Sequence, residues 1–303
     1  MTGTCPLQIP QNHFTILNKA VLDREKAARL TFGFAFLVLA YRWFTHSLVY
    51  QLQQPVLYES GFDYTYWVYH FIRFPEVFVD NKWGARIFDI VLLISTGYNI
   101  ITAAANRMSV LICAVAWTFY GITYNSYVCH FTYAISGLML LPYVFLVKKK
   151  ENFSLIWEGA RYFCLYVYAD AFIHKAFIGR NLYYFPMGVE IIKTNQAQFL
   201  LQNPRSILSP VYSFFITHPG LSYAGFVWMV LLQGSMIIGF FTKKWDKFLF
   251  WVPVLFHAIN YFFVDVFFFE LLVLNLTLLP FQAGSNRSGR PATGPSTYSR
   301  HTA

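Results

Sequence analysis

Residues 247–282 run for 36 positions with only Lys247, Asp265 and Glu270 carrying charge. As one α-helix this stretch would be about 54 Å long, at 1.5 Å per residue, against a bilayer hydrocarbon core of about 30 Å. It is therefore too long for one crossing and long enough for two, with a turn expected near Val264–Asp265. A second run of spanning length, "LTFGFAFLVLAYRWFTHSLVY", lies near the start of the chain. Charged residues make up 12% of the sequence, against about 25% in a soluble domain, and hydrophobic residues 56%. The spacing of these runs excludes a soluble globular domain and specifies an all-α, polytopic transmembrane helix bundle.

About eight spans are expected: 28–50, 86–104, 108–125, 129–147, 155–178, 221–241, 247–264 and 266–282. They divide the chain into a segment 1–27, a bundle 28–282 and a Gly/Ser/Pro-rich tail 283–303 expected to be disordered. Arg24, Lys26 and Arg29 precede span 1, and Arg107, Lys148–Lys150 and Lys243, Lys244 and Lys247 fall in alternate connections. By the positive-inside rule these sites face the cytoplasm, which places both termini there. The net charge of +9 is thus spent at span ends and does not indicate a nucleic-acid partner. The first residues show no basic-then-apolar signal peptide, so span 1 is expected to act as the targeting signal. Segments 51–85 and 179–220 lie outside in this topology, and "MGVEIIKTNQAQFLLQ" in the second reads as a helix on the membrane surface. Cys5, Cys113, Cys129 and Cys164 show no metal-ligand or CxxC spacing and read mostly as small buried residues.

Ionisable residues within spans are costly, so each poses a choice between function and a satisfied structural role. Arg42, near the middle of span 1, is expected to have a buried partner, with Asp89 as the candidate. Asn125 and His130 flank the short connection between spans 3 and 4, where interfacial hydrogen bonding explains them as well as function does. His257 and Asn260 are three apart, on one face of span 7. In "YVYADAFIHKAFIGR", Asp170 and His174 are four apart and able to pair, while Lys175 projects elsewhere. Taken alone, Lys175 reads as a lysine reaching for the headgroups. The topology, however, puts His130, Lys175, His257 and Asn260 toward one leaflet on three different helices, as one site requires.

"VYADAFIHKA", followed after a long loop by "FHAIN", resembles the membrane domain of the vitamin K-dependent gamma-carboxylases and the related HTTM proteins. "YNSYVCHFTY" is similar to that family's Asn/His segment, and the likeness covers roughly residues 86–282. What the resemblance implies is Lys175 as catalytic base, with His130 assisting. His257 and Asn260 would face a reduced, vitamin K-like quinone, with Asn125 and His174 beside it. One position that is usually acidic in the family is Gln233 here. The implied activity is a quinol-dependent oxygenase or carboxylase-like reaction, with the quinone arriving laterally from the bilayer. Three other classes stay open: a non-catalytic membrane or extracytoplasmic partner protein, a transporter, and a metal site built from His130, His174 and His257.

Overall fold

The computed structural model describes residues 23–52, 71–127, 132–264 and 268–280. No β-strand occurs among them. The helices are α1 (Arg24–Phe44), α2 (Phe74–Phe78), α3 (Lys82–Ile101), α4 (Arg107–Tyr127), α5 (Thr132–Val144), α6 (Lys150–Ile173), α7 (Met187–Gln202), α8 (Leu208–Thr217), α9 (Pro219–Ser235), α10 (Ile238–Phe241), α11 (Asp246–Val264) and α12 (Phe269–Leu272). A 3₁₀ segment, Val273–Leu278, continues α12. Among the described residues, five segments are long and apolar enough to cross a membrane: Arg24–Gln51, Lys82–Ile101, Arg107–Tyr127, Pro219–Phe241 and Asp246–Val264.

Local chemistry sets the starts of these helices. Asp23 caps α1 by accepting from the Lys26 N–H, and Asn81 caps α3 through the N–H groups of Trp83 and Gly84. Helices α1, α3, α4 and α5 pack side by side in the first part of the chain, and α6, α7, α9 and α11 in the second. The basic connections meet at one end of the bundle. Arg24 donates to the carbonyls of Ala104 and Phe145, at 3.0 and 2.7 Å, satisfying oxygens that the ends of α3 and α5 leave open. Further along α6, Arg161 holds Asp246 through two hydrogen bonds of 2.8 and 2.6 Å, and Gly239 O at 2.8 Å.

Within the apolar run 247–282, α11 is described as far as Val264 and helix resumes at Phe269 after a non-helical Phe268; Asp265, where the turn is expected, lies outside the described residues. The run's second half departs from expectation. Phe269–Leu278 is only ten helical residues, roughly 18 Å long, and is shorter than a lipid-facing span. It is threaded through the protein interior against α1, α5, α6 and α11. Leu271, Val273, Leu274 and Leu278 are all buried there. An apolar run is equally suited to lipid and to a protein core, and hydropathy does not separate the two.

Arg42 also corrects an expectation, because its partner is Glu270 and not Asp89. Arg42 Nε and Nη2 each donate to a Glu270 carboxylate oxygen at 2.8 Å, and Nη1 donates to Tyr124 Oη at 2.6 Å. Asp89 instead accepts the backbone N–H groups of Val49 and Tyr50 at 3.2 and 2.9 Å, fastening the turn after α1. The interior pass therefore starts beside Arg42 and Tyr124, at the end of the bundle opposite the basic connections. It descends to Asn275, which donates to Phe250 O near the start of α11 and accepts from Cys164 of α6.

Candidate functional site

A cavity of about 940 Å³ lies between α6, α7, α9 and α11, closed at one side by Phe268 and Leu271 of the interior pass. Its walls are mainly apolar and aromatic, with Phe163, Phe226, Phe256 and Phe263 among them. Pockets of this size and character suit a drug-sized lipophilic molecule held in place by a few polar groups.

Close helix contacts shape it. A Cβ on Gly188 of α7 would strike the backbone oxygen of Ser222 in α9, so only glycine lets these two helices approach as they do. A Cβ on Gly234 of α9 would come within 2.9 Å of the Phe172 ring on α6. That second approach brings Gln233 within reach of the end of α6.

Helix α6 does not stop at Ile173 but continues as a π turn, His174–Ile178, in which the Gly179 N–H bonds to His174 O at 2.7 Å. Such turns widen a helix by one residue and are frequent at functional sites. Here it carries Lys175, whose half-buried side chain folds back along α6. The amine donates to Ala171 O at 3.4 Å and to Gln233 Oε1 at 3.2 Å. Gln233 is 4% exposed, so this bond lies inside the bundle and not at its surface. Among the described residues no carboxylate lies within 4.0 Å of the amine. Asp170 is exposed, although it belongs to the cavity wall.

Two turns below Lys175 on α6, Tyr168 shares a 2.9 Å hydrogen bond with Nε2 of His257 on α11. Tyr168 is 2% exposed and His257 1%. The imidazole is held edge-on between Phe256 and Phe268, with ring centroids at 5.1 and 5.6 Å. Asn260, one turn further along α11, is half-buried and also lines the cavity.

Of the six residues singled out in the sequence, Lys175, His174, His257 and Asn260 all line this cavity. His174 stands at its exposed edge. Asn125 does not join them. It is buried at the end of α4, beside Tyr124 of the Arg42 cluster. His130 lies outside the described residues, as do Cys5 and Cys129. Among the described residues no three His, Cys, Asp or Glu side chains are grouped as a metal ion requires. Tyr168 went unnoticed in the sequence, where it is one of many aromatics, and Gln233 stood out there only as a departure from the family's acid. The signal for Tyr168 was its seven-residue spacing from Lys175, two helical turns along one face.

Comparison with protein-family models, with curated proteins and with solved structures gives no match for this chain.

Proposed function

We propose that this chain is a multi-pass membrane enzyme that binds a lipophilic reduced quinone in the cavity, with Lys175 as the base that accepts a ring hydroxyl proton. The proposed topology has both termini cytoplasmic, seven lipid-facing crossings and the interior pass 268–280 as the eighth. The positive-inside rule supports it, because Arg24 at the start of α1 meets the residues that follow α3 and α5, next to the basic α3–α4 and α5–α6 connections. Lys175 then sits toward the opposite leaflet, where a lipid-soluble ligand enters from the side.

One observation carries the reading: the Lys175 amine is turned into an apolar cavity and held by an amide, not by a carboxylate. A general base must be able to lose its proton, and burial in low dielectric disfavours the charged amine. A carboxylate at the Gln233 position would oppose this by stabilising the ammonium. The ligand class fits the wall, which offers aromatic surface for a ring and a few polar groups for its oxygens. A bound quinol supplies an acidic hydroxyl and two reducing electrons. The order of "VYADAFIHKA" and "FHAIN" along the chain resembles the gamma-carboxylase membrane domain and agrees with this assignment.

The test is quinol-dependent oxygen uptake by the purified protein in nanodiscs, comparing wild type with Lys175→Met and Lys175→Arg. Met keeps the apolar stem and removes the amine, so uptake should vanish while the protein stays folded. Arg should not rescue it, because a guanidinium does not deprotonate in proteins. Full uptake in folded Lys175→Met would overturn the proposal.

A further inference from the structure

We infer that the turn joining α10 to α11 binds an anionic phospholipid, with Lys244 and Lys247 taking the headgroup phosphate and the outer face of α11 taking an acyl chain. None of these residues lines the cavity, and the inference does not depend on the quinol reading.

Pro219–Phe241 and Asp246–Val264 are each long and apolar enough to cross a membrane, so residues 242–245 between them stand where hydrocarbon gives way to headgroups. Thr242 Oγ1 accepts the Lys244 N–H at 3.1 Å, and Lys243 O accepts the Asp246 N–H at 3.2 Å. These two bonds fold the connection into a tight turn that holds Lys243, Lys244 and Lys247 close together.

The acids beside this turn are already engaged. Asp246 is held by Arg161 through hydrogen bonds of 2.8 and 2.6 Å. Glu158 takes the Lys243 amine at 2.6 Å and also stands 3.4 Å from Arg161. Lys244 and Lys247 are exposed, and among the described residues neither enters an ion pair within 4.0 Å. Two positive charges are thus left over at one place on the membrane boundary. A phosphate there meets both amines without competing for either acid.

The face of α11 below the lysines decides which anion fits. Lys247, Trp251 and Leu255 follow at intervals of four, so they lie on one side of the helix. Trp251 and Leu255 are exposed, and so is Phe248 beside them. From Lys247 to Leu255 this face descends about 12 Å, within the roughly 15 Å that the hydrocarbon of one leaflet occupies. Trp245 is exposed at the level of the turn, where tryptophans favour the interface. A free phosphate or an acidic protein segment would meet the lysines but could not follow the apolar face into hydrocarbon. A phospholipid does both.

The experiment is native mass spectrometry of the full chain in non-ionic detergent, titrated with phosphatidylglycerol or with phosphatidylcholine carrying the same chains. Wild type should bind its first phosphatidylglycerol about 25-fold more tightly, about fivefold for each lysine, as one cation beside anionic lipid is worth. Lys244→Gln and Lys247→Gln should each remove about fivefold, and the double variant should bind the two lipids alike. Lys148→Gln/Lys149→Gln, in the basic connection before α6, should keep the wild-type preference. Glycerophosphoglycerol, the headgroup without its chains, should not displace the lipid at equal concentration. Equal wild-type affinity for the two lipids overturns the inference, and so does a preference that survives in Lys244→Gln/Lys247→Gln. A loss just as large in Lys148→Gln/Lys149→Gln would show a diffuse effect of charge and overturn it too. Displacement by glycerophosphoglycerol would make this a site for a soluble anion and overturn the lipid assignment. The wild-type ratio needs no variant, so the inference is decided even if a variant does not fold.

Discussion

Replacing Glu270 by Gln should be among the most damaging single changes in this protein, and a double replacement should largely repair it. Arg42 is 5% exposed and Glu270 2%, and two hydrogen bonds of 2.8 Å join them. The guanidinium also lies 4.0 Å from the Tyr124 ring centroid. Glu270→Gln keeps the shape and removes the charge, stranding a guanidinium that cannot shed its proton. Breaking one side of such a pair costs about 3–5 kcal/mol, whereas replacing both members with apolar residues of similar volume is often neutral. With about 2–4 °C of midpoint shift per kcal/mol in proteins of a few hundred residues, Glu270→Gln should unfold on the order of 10 °C early. The double change Arg42→Met/Glu270→Met should stay within a few degrees of wild type. Thermal unfolding in nanodiscs, followed by intrinsic fluorescence, measures all three proteins under one condition. A double variant as unstable as the single would show that the cost lies in packing around Gly137 and the interior pass and not in a stranded charge. A Cβ on Gly137 would already meet the Glu270 carbonyl.

Three further outcomes are expected. Gly188→Ala forces α7 away from Ser222 and should cost about 1–3 kcal/mol while weakening quinol binding; native stability and affinity in that variant would contradict the close contact. Gln233→Glu places a carboxylate where the Lys175 amine now meets an amide, 3.2 Å away. A carboxylate there favours the ammonium, so the pH at which quinol-dependent uptake rises should move upward, and an unmoved pH profile would argue against Lys175 as the base. Cysteines introduced within 181–200 should react with an impermeant maleimide from outside intact cells, while those at 148–150 should stay protected; the reverse pattern would invert the topology.

Much of the architecture was legible because hydropathy and charge act locally. The start of a new helical segment at Phe269 accords with a run too long for one crossing, and the helix read in "MGVEIIKTNQAQFLLQ" matches α7, Met187–Gln202, at both ends. Partner choice was not legible. Arg42 and Glu270 are 228 positions apart, and nothing local distinguishes Glu270 from Asp89 as the neutralising acid. Asp89 is satisfied by two backbone N–H groups that exist only once the turn at Val49–Gln51 has formed. That the segment 268–280 packs inside the protein was not legible for the opposite reason. Its apolar pattern is real, but the surroundings that receive it are protein, and only Glu270 and Asn275 hint at that. Tyr168 was hidden by composition, since aromatics are 20% of the chain and its hydrogen bond to His257 exists only once the fold has formed.

The deeply placed cations sort themselves by what holds them. Arg42 and Arg161 each receive a carboxylate through two hydrogen bonds, Glu270 for one and Asp246 for the other. Each arginine also ties together elements distant in sequence: α1 to the interior pass, and α6 to the α9–α11 connection. An arginine must be neutralised this way because it stays charged at any accessible pH, so a buried one is a structural fastening. Lys175 is treated differently. Its amine is given a backbone carbonyl and a neutral amide, both of which accept hydrogen bonds from either form of the amine. That arrangement stabilises the ammonium less than a carboxylate would, which is a poor way to fasten helices and a good way to keep a proton exchangeable. The same bundle contains acids able to do the fastening, and Asp170, five residues away on α6 and on the same cavity wall, is exposed and forms no ion pair with the amine within 4.0 Å. That contrast within one molecule, more than the depth of Lys175 alone, is what supports the proposed role of its amine.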